Sequence, residues 1–292
     1  MEKRQKKIIV AIDGSPTSYK AMRVAGEFAA IHNAELVLLH AVEPVPNLFE
    51  FFAEDELNDK RRTWGLRLLD AARKAYDGPE VEISEMIVTG RPYKAICEAA
   101  EEILAEMIVI GAWGKHAEGS GLVGTNVQKI VRTAKVPVVT VPEFAEGAQF
   151  GKILLPVEID FGARELERFL YEYHRVYNPV VEMLAVVRKE EDLEETETYL
   201  NKQKNILTKA GIKDVVVTTI LGADPAREII NYAEENGHDI IWMETHGRKG
   251  LAGWFFGSVT GEILNASTIP VLSLHPEREP SRTHYYHANL PI

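Results

Sequence analysis

Apolar residues along the chain fall into two alternating kinds of run. Short unbroken stretches such as Ile8-Ile-Val-Ala-Ile12, Leu36-Val-Leu-Leu-His-Ala-Val42, Met107-Ile-Val-Ile110 and Val136-Pro-Val-Val-Thr-Val141 have the composition of strands buried on both faces. Between them the apolar positions recur at helical spacing, as in Ala21, Val24, Ala25, Phe28 and Ala29. Ser15 followed by Pro16 predicts the start of that first helix, which runs toward His32, because serine suits the N-cap and proline the first helical position. A charged amphipathic helix is expected from about Asp59 to Tyr76, a third strand over Val81 to Val88, and a helix from Gly90-Arg-Pro92 through Ala105. Strands that alternate with helices imply right-handed crossovers and a parallel sheet covered on both faces.

The pattern then repeats. Gly151-Lys-Ile-Leu-Leu-Pro-Val157 restates Lys6-Lys-Ile-Ile-Val-Ala-Ile12, and later landmarks keep a constant offset of 133 (257 − 124, 270 − 137 and 247 − 114). Two copies of one domain are therefore fused in tandem, residues 1–146 and 151–277, followed by a tail at 278–292. The first strands are offset by 145 (152 − 7), so copy two is shorter. Comparing Ala41 to Gly90 (49 positions) with Ala185 to Gly222 (37 positions) puts the loss after the second strand. The aromatic stretch Pro44 to Leu57, with Phe49, Phe51 and Phe52, belongs to copy one alone. The tail carries Tyr285 and Tyr286 between His284 and His287, and is expected to dock on a neighbouring copy, with fraying as the alternative.

Composition narrows the functional classes. With 46% hydrophobic and 26% charged residues the chain is globular, and a net charge of −11 argues against a broad nucleic-acid surface. The basic opening Met1 to Lys7 is followed by an apolar run too short for a secretion signal, and no stretch reaches the length of a membrane span. Cytoplasmic location is expected. The single cysteine, Cys97, shares an apolar helical spacing with Tyr93 and Ile96 and reads as core filler. The histidines show no metal-site spacing.

One stretch carries chemistry. Gly111-Ala-Trp-Gly114-Lys-His-Ala-Glu-Gly-Ser-Gly-Leu-Val-Gly124-Thr125-Asn126 follows the Met107 to Ile110 strand and ends where Val127, Ile130 and Val131 begin a helical spacing. A strand, a glycine-rich loop and a helix start form a ready anion cradle, because glycine lets backbone N–H groups come close and the helix start adds unpaired donors and a positive dipole end. Lys115 and His116 sit where phosphate charge would collect. In an open parallel sheet the ligand crevice lies outside the carboxyl strand ends, where strand order reverses. Asp13, which ends strand one, can accept there from an amine or a ribose hydroxyl, or can serve only to cap the first helix with Ser15.

The spacing Gly-x2-Gly-x9-Gly-Thr resembles the signature of the universal stress protein family, and the resemblance extends over both copies. It implies an α/β fold of two Rossmann-like domains, akin to the adenine nucleotide α-hydrolases, each a five-stranded parallel sheet of order 3-2-1-4-5 with helices on both faces. It also implies ATP, or AMP or ADP, as the ligand, with any Mg2+ arriving on the nucleotide rather than in a protein cage. Ala11, Ile12, Asp13 and Ala41 are assigned to the adenine and ribose end, and Gly111, Gly114, Lys115, Gly124, Thr125 and Asn126 to the ribose and phosphates. Family domains pair through their last strands, so Val136 to Val141 is expected to meet Ile269 to Leu274 as an internal pseudo-dimer, with homodimerisation of the whole chain and an unknown signalling protein as further partners.

Copy two departs from the signature. Glu244 stands for Gly111 and Glu158 for Asp13, while Gly247, Gly257, Ser258 and Val259 remain as a weaker second site. A carboxylate at that position adds bulk and repels phosphate, with Arg248 and Lys249 able to offset the charge, so copy two is expected to bind ATP poorly or to take a less charged nucleotide such as AMP. The chain lacks the Gly-x4-Gly-Lys-[Ser/Thr] loop, a Gly-x-Gly-x2-Gly after strand one, the ATP pyrophosphatase turn, and any assignable catalytic triad. The implied function is a nucleotide-dependent stress-response regulator, with the Phe49 to Phe52 loop ordering over bound adenosine. The alternatives are a slow ATPase or autophosphorylating enzyme, and a scaffold that binds no nucleotide.

Overall fold

The computed structural model describes residues 5–44, 54–112, 124–143, 145, 150–157, 170, 173–174, 178–244 and 258–274. Copy one contributes strands β1 (Lys6–Ala11), β2 (Ala34–Val42), β3 (Ile83–Thr89), β4 (Met107–Gly111) and β5 (Val138–Val141), with helices α1 (Pro16–His32), α2 (Glu54–Ala75), α3 (Pro92–Glu102) and α4 (Thr125–Thr133). Copy two contributes β6 (Lys152–Pro156), β7 (Val180–Val187), β8 (Val215–Leu221), β9 (Ile240–Glu244) and β10 (Val271–Leu274), with α5 (Leu193–Lys209), α6 (Pro225–Glu235) and α7 (Ser258–Ala266). The ten strands form one sheet, ordered β3-β2-β1-β4-β5-β10-β9-β6-β7-β8. Each half is parallel and reads 3-2-1-4-5 from its outer edge inward. At the centre β5 and β10 pair antiparallel, with Val139 opposite Leu272.

Element ends differ from the sequence reading in explicable ways. α2 begins at Glu54, before the expected Asp59. β5 begins at Val138 rather than Val136: Pro137 has no N–H for a ladder, and its carbonyl instead accepts from Ile108 N at 2.9 Å. α3 stops at Glu102 rather than Ala105, because Leu104 turns left-handed at φ 51°. Ala105 N then closes the end by donating to the Ala100 carbonyl at 2.8 Å. In copy two the same turn is made by Gly237 at φ 63°, with His238 N donating to Ala233 O at 2.9 Å.

Equivalent hydrogen bonds refine the match between the copies. Ile12 N donates to Leu39 O and Val157 N to Leu184 O, each at 2.8 Å. The offset of 145 therefore holds to the end of the second strand, and Val186 rather than Ala185 is the counterpart of Ala41.

Apolar side chains cover both sheet faces, as the unbroken apolar runs require. On the face beneath α1, the two halves meet through aromatic rings. Phe28 and Tyr173 occupy matching positions (173 − 28 = 145), with ring centroids 6.2 Å apart. Phe150 stacks on Phe28 at 4.6 Å and meets Tyr173 edge-on at 6.2 Å, and Trp242 packs on Tyr173 at 5.1 Å. All four rings are buried.

Gly237 has nothing within 4 Å of where a Cβ would stand, so Gly237→Ala tests backbone strain alone. A left-handed alanine is disfavoured by about 1 kcal/mol, and the unfolding free energy from urea titration is expected to fall by that amount, as a lower midpoint at unchanged m-value.

Candidate functional site

The carboxyl ends of β1 and β4 lie side by side, with Ala11 opposite Ile110 and, on the other flank of β1, opposite Leu39. Chain order reverses between these neighbours, which opens the crevice. Ala11 and Ala41 are half-buried and pack toward the α3–α4 side of the sheet.

Helix α2 straps the exits of β1 and β2. The Ile12 carbonyl accepts from His40 Nδ1 at 2.7 Å, so that nitrogen carries the proton. Trp64, half-exposed on α2, meets the His40 ring edge-on at 5.4 Å. A Cβ at Gly65 would stand 2.9 Å from both His40 and Ile87, so only glycine lets the helix lie this close. Arg61 donates to the Glu43 carbonyl at 2.6 Å, and Leu68 lies 3.1 Å from a Cβ position at Gly14. Sequence reasoning missed this strap. Its one signal was a histidine inside an otherwise apolar strand.

Asp13 organises the start of α1. Its Oδ1 accepts from Ser15 N at 2.9 Å and from Ser15 Oγ at 2.6 Å, while Ser15 Oγ accepts from Ser18 N at 3.2 Å. Gly111 closes against the same helix. A Cβ there would stand 2.7–2.8 Å from Thr17 Oγ1, Cβ and backbone carbon, so the close approach that requires glycine is to Thr17. Ala112 N donates to Val141 O at 2.8 Å, and Gly124 N returns to Ala112 O at 3.1 Å. That second bond closes the base of the glycine-rich loop.

Gly124 is the N-cap of α4 and supplies no side-chain cap. Thr125 and Asn126 are exposed at the open start of the helix, while Val127, Ile130 and Val131 are buried beneath it. Ile12, Asp13, Gly111, Gly124, Thr125 and Asn126 thus share the carboxyl end of the copy-one sheet. Gly114, Lys115 and His116, the Phe49 to Phe52 stretch, Glu158, Gly247, Gly257 and the tail lie outside the described residues. In copy two Glu244 ends β9, Ser258 opens α7 and Val259 is half-buried.

A polar cluster occupies the opposite, amino end of the copy-two strands. Buried Glu182 accepts from Tyr232 Oη at 2.5 Å and Thr218 Oγ1 at 2.8 Å, and lies 3.1 Å from His238 Nε2. Burial opposes its charge, but those hydrogen bonds with His238 and Lys152 nearby hold its pKa below the ordinary value. His238 is pushed down by burial and by Lys152. In copy one, burial and Lys6 push His32 down to about 4. Among the described residues no three His, Cys, Asp or Glu side chains gather as metal ligands, and no helix is long and apolar enough to cross a membrane.

The sequence profile of the Universal stress protein family matches residues 5–142 and 159–275. A universal stress protein of Mycobacterium tuberculosis is 25% identical over 300 residues, spanning 92% of this chain and 97% of the relative. One from Thermus aquaticus is 39% identical over 137 residues, 47% of this chain and 98% of its own length. The crystal structure of a universal stress protein from Archaeoglobus fulgidus superposes with a TM-score of 0.72 at 18% identity, covering 92% of this chain and 98% of that one, and shows the shared fold.

Two outcomes follow from this geometry. Gly111→Ala is expected to lower stability by about 1–3 kcal/mol in denaturant titrations without any ligand, because the new methyl meets the Thr17 backbone. The unfolded chain protonates its histidines near 6.5, whereas folding resists protonation of His32 and His238. Stability is then full above that pH and is lost as pH falls toward about 4. Urea midpoints measured across that range should drop, and drop less steeply in His32→Gln.

Proposed function

This chain belongs to the universal stress protein family, and we propose that it is an adenine-nucleotide-binding regulator whose first copy holds the ligand. The observation that carries the reading is the closed base of the glycine-rich loop. The bond from Gly124 N to Ala112 O sets the open start of α4 beside the paired ends of β1 and β4. The residues fit the ligand. Thr125 and Asn126 stand exposed at a helix start that no side chain caps, where N–H donors and the helix dipole favour phosphate. Ala11 and Ala41 offer small surfaces at the strand ends for a base, and the strap of His40 and α2 fixes the Ile12 carbonyl beside them.

ATP is the proposed ligand, with AMP or ADP as alternatives and Mg2+ carried by the nucleotide. Gly114 and Lys115 complete the phosphate end. Copy two, with Glu244 at the end of β9, serves as a structural half that binds nucleotide poorly through Gly247, Gly257, Ser258 and Val259. The protein acts in the cytoplasm on a signalling partner, and its bound state is the signal. No residue is proposed as a catalytic base.

Denaturing the purified full chain and identifying the released nucleotide tests this reading. About one adenine nucleotide per chain is expected, and Thr125→Ala should weaken ATP binding about tenfold through loss of one hydrogen bond to a charged group. A chain that releases no nucleotide and binds no added ATP would overturn it.

A further inference from the structure

Matching the two copies position by position exposes a reversal of charge around the crevice. The offset of 133 that joins Gly124 to Gly257 places Glu262 where copy one has Lys129, and Asp224 where it has Arg91. Arg91 and Asp224 are the N-cap residues of α3 and α6 respectively. Two cations in one copy have become two anions in the other.

We propose that Lys129 and Arg91 determine the charge of the ligand, holding the outer phosphates in copy one, and that Glu262 and Asp224 exclude polyphosphates from copy two. The proposal rests on the nucleotide reading above and deepens it. Lys129 lies one turn along α4 from Thr125, and helical side chains lean toward the N-terminus, so its ammonium reaches back to the open helix start. Its Nζ lies 5.0 Å from the ring centroid of Tyr93 in the first turn of α3, which brings the charge beside the start of that helix. Arg91 is two residues from Tyr93 at that same start. Both cations are exposed.

Neither charge is neutralised by the fold. Among the described residues neither Arg91 nor Lys129 makes an ion pair, whereas Lys94 meets Glu98 at 3.6 Å and Lys135 pairs with Glu101 on the same side of the sheet. Arg91 gives α3 no side-chain cap, while Asp224 Oδ1 caps α6 by accepting from Arg227 N at 3.3 Å. Copy one thus holds two unneutralised cations above a helix start that favours anions. In copy two a phosphate chain at the matching helix starts would meet the exposed Asp224 and Glu262 instead. Like charges at such separations disfavour binding even through water, and the penalty grows with each phosphate.

The test compares ATP with adenosine on the full chain by equilibrium dialysis, for the native protein, Lys129→Arg, and the double variant Arg91→Asp Lys129→Glu. The double variant should lose ~30-fold or more in ATP affinity. It should keep adenosine affinity within about twofold, since adenosine carries no charge to screen. Lys129→Arg should stay near native, and the ATP affinity of the double variant should depend less on salt. Equal losses for ATP and adenosine would mean that the residues only hold the fold, and an unchanged ATP affinity would mean that they do not meet phosphate; either result overturns the proposal. Failure of the nucleotide reading itself would show separately, as a native chain that binds neither compound.

Discussion

β5 is four residues long and buried on both faces, and its outer backbone groups must find partners away from water. β10 supplies them. The antiparallel join of two short strands makes one sheet of what the sequence presents as two domains, and among the described residues it leaves only β3 and β8 as edges. Helix α1 is thereby brought against copy two, Phe28 against Tyr173, and the buried aromatic group forms across the join. The orientation of everything above the sheet depends on this one pairing.

At the carboxyl end of copy one, residues of the proposed ligand site also hold the fold. Asp13 belongs to the proposed ligand end, yet its carboxylate holds Ser15 at the start of α1. Gly111 belongs to the glycine signature, yet its missing Cβ is space taken by Thr17. A substitution at either position changes the scaffold before it changes the ligand. Thr125, Asn126, Arg91 and Lys129 are exposed, and their side chains are less tied to the scaffold than those of Asp13 and Gly111.

The strands were legible because burial on both faces leaves unbroken apolar runs, and the order of each half followed from the family signature. The duplication was legible from glycine and proline landmarks at fixed offsets. Helix ends were less so. Nothing local marks Leu104 as a left-handed terminator, since its copy-two counterpart is the expected glycine and leucine is held there by the strand that must start at Met107. The offset slipped by one at Ala41 because alanine recurs in neighbouring positions, and only the ladder hydrogen bonds resolve it. The strap was hidden for a different reason: His40 and Gly65 are distant in sequence, and their dependence on each other exists only once α2 lies across β2.

Phe150 stands between Phe28 and Tyr173, the matched residues of the two copies, and its own counterpart before β1 is Gln5 (150 − 145), an exposed residue bonded to Glu82. Two identical separate chains would each bring the same residue to this position, whereas the fused chain has a phenylalanine at one and a glutamine at the other. The join has therefore stopped being a copy of a symmetric dimer. Fusion lets one linker residue serve both halves at once, so the second copy supports the aromatic join that packs against α1 of the first.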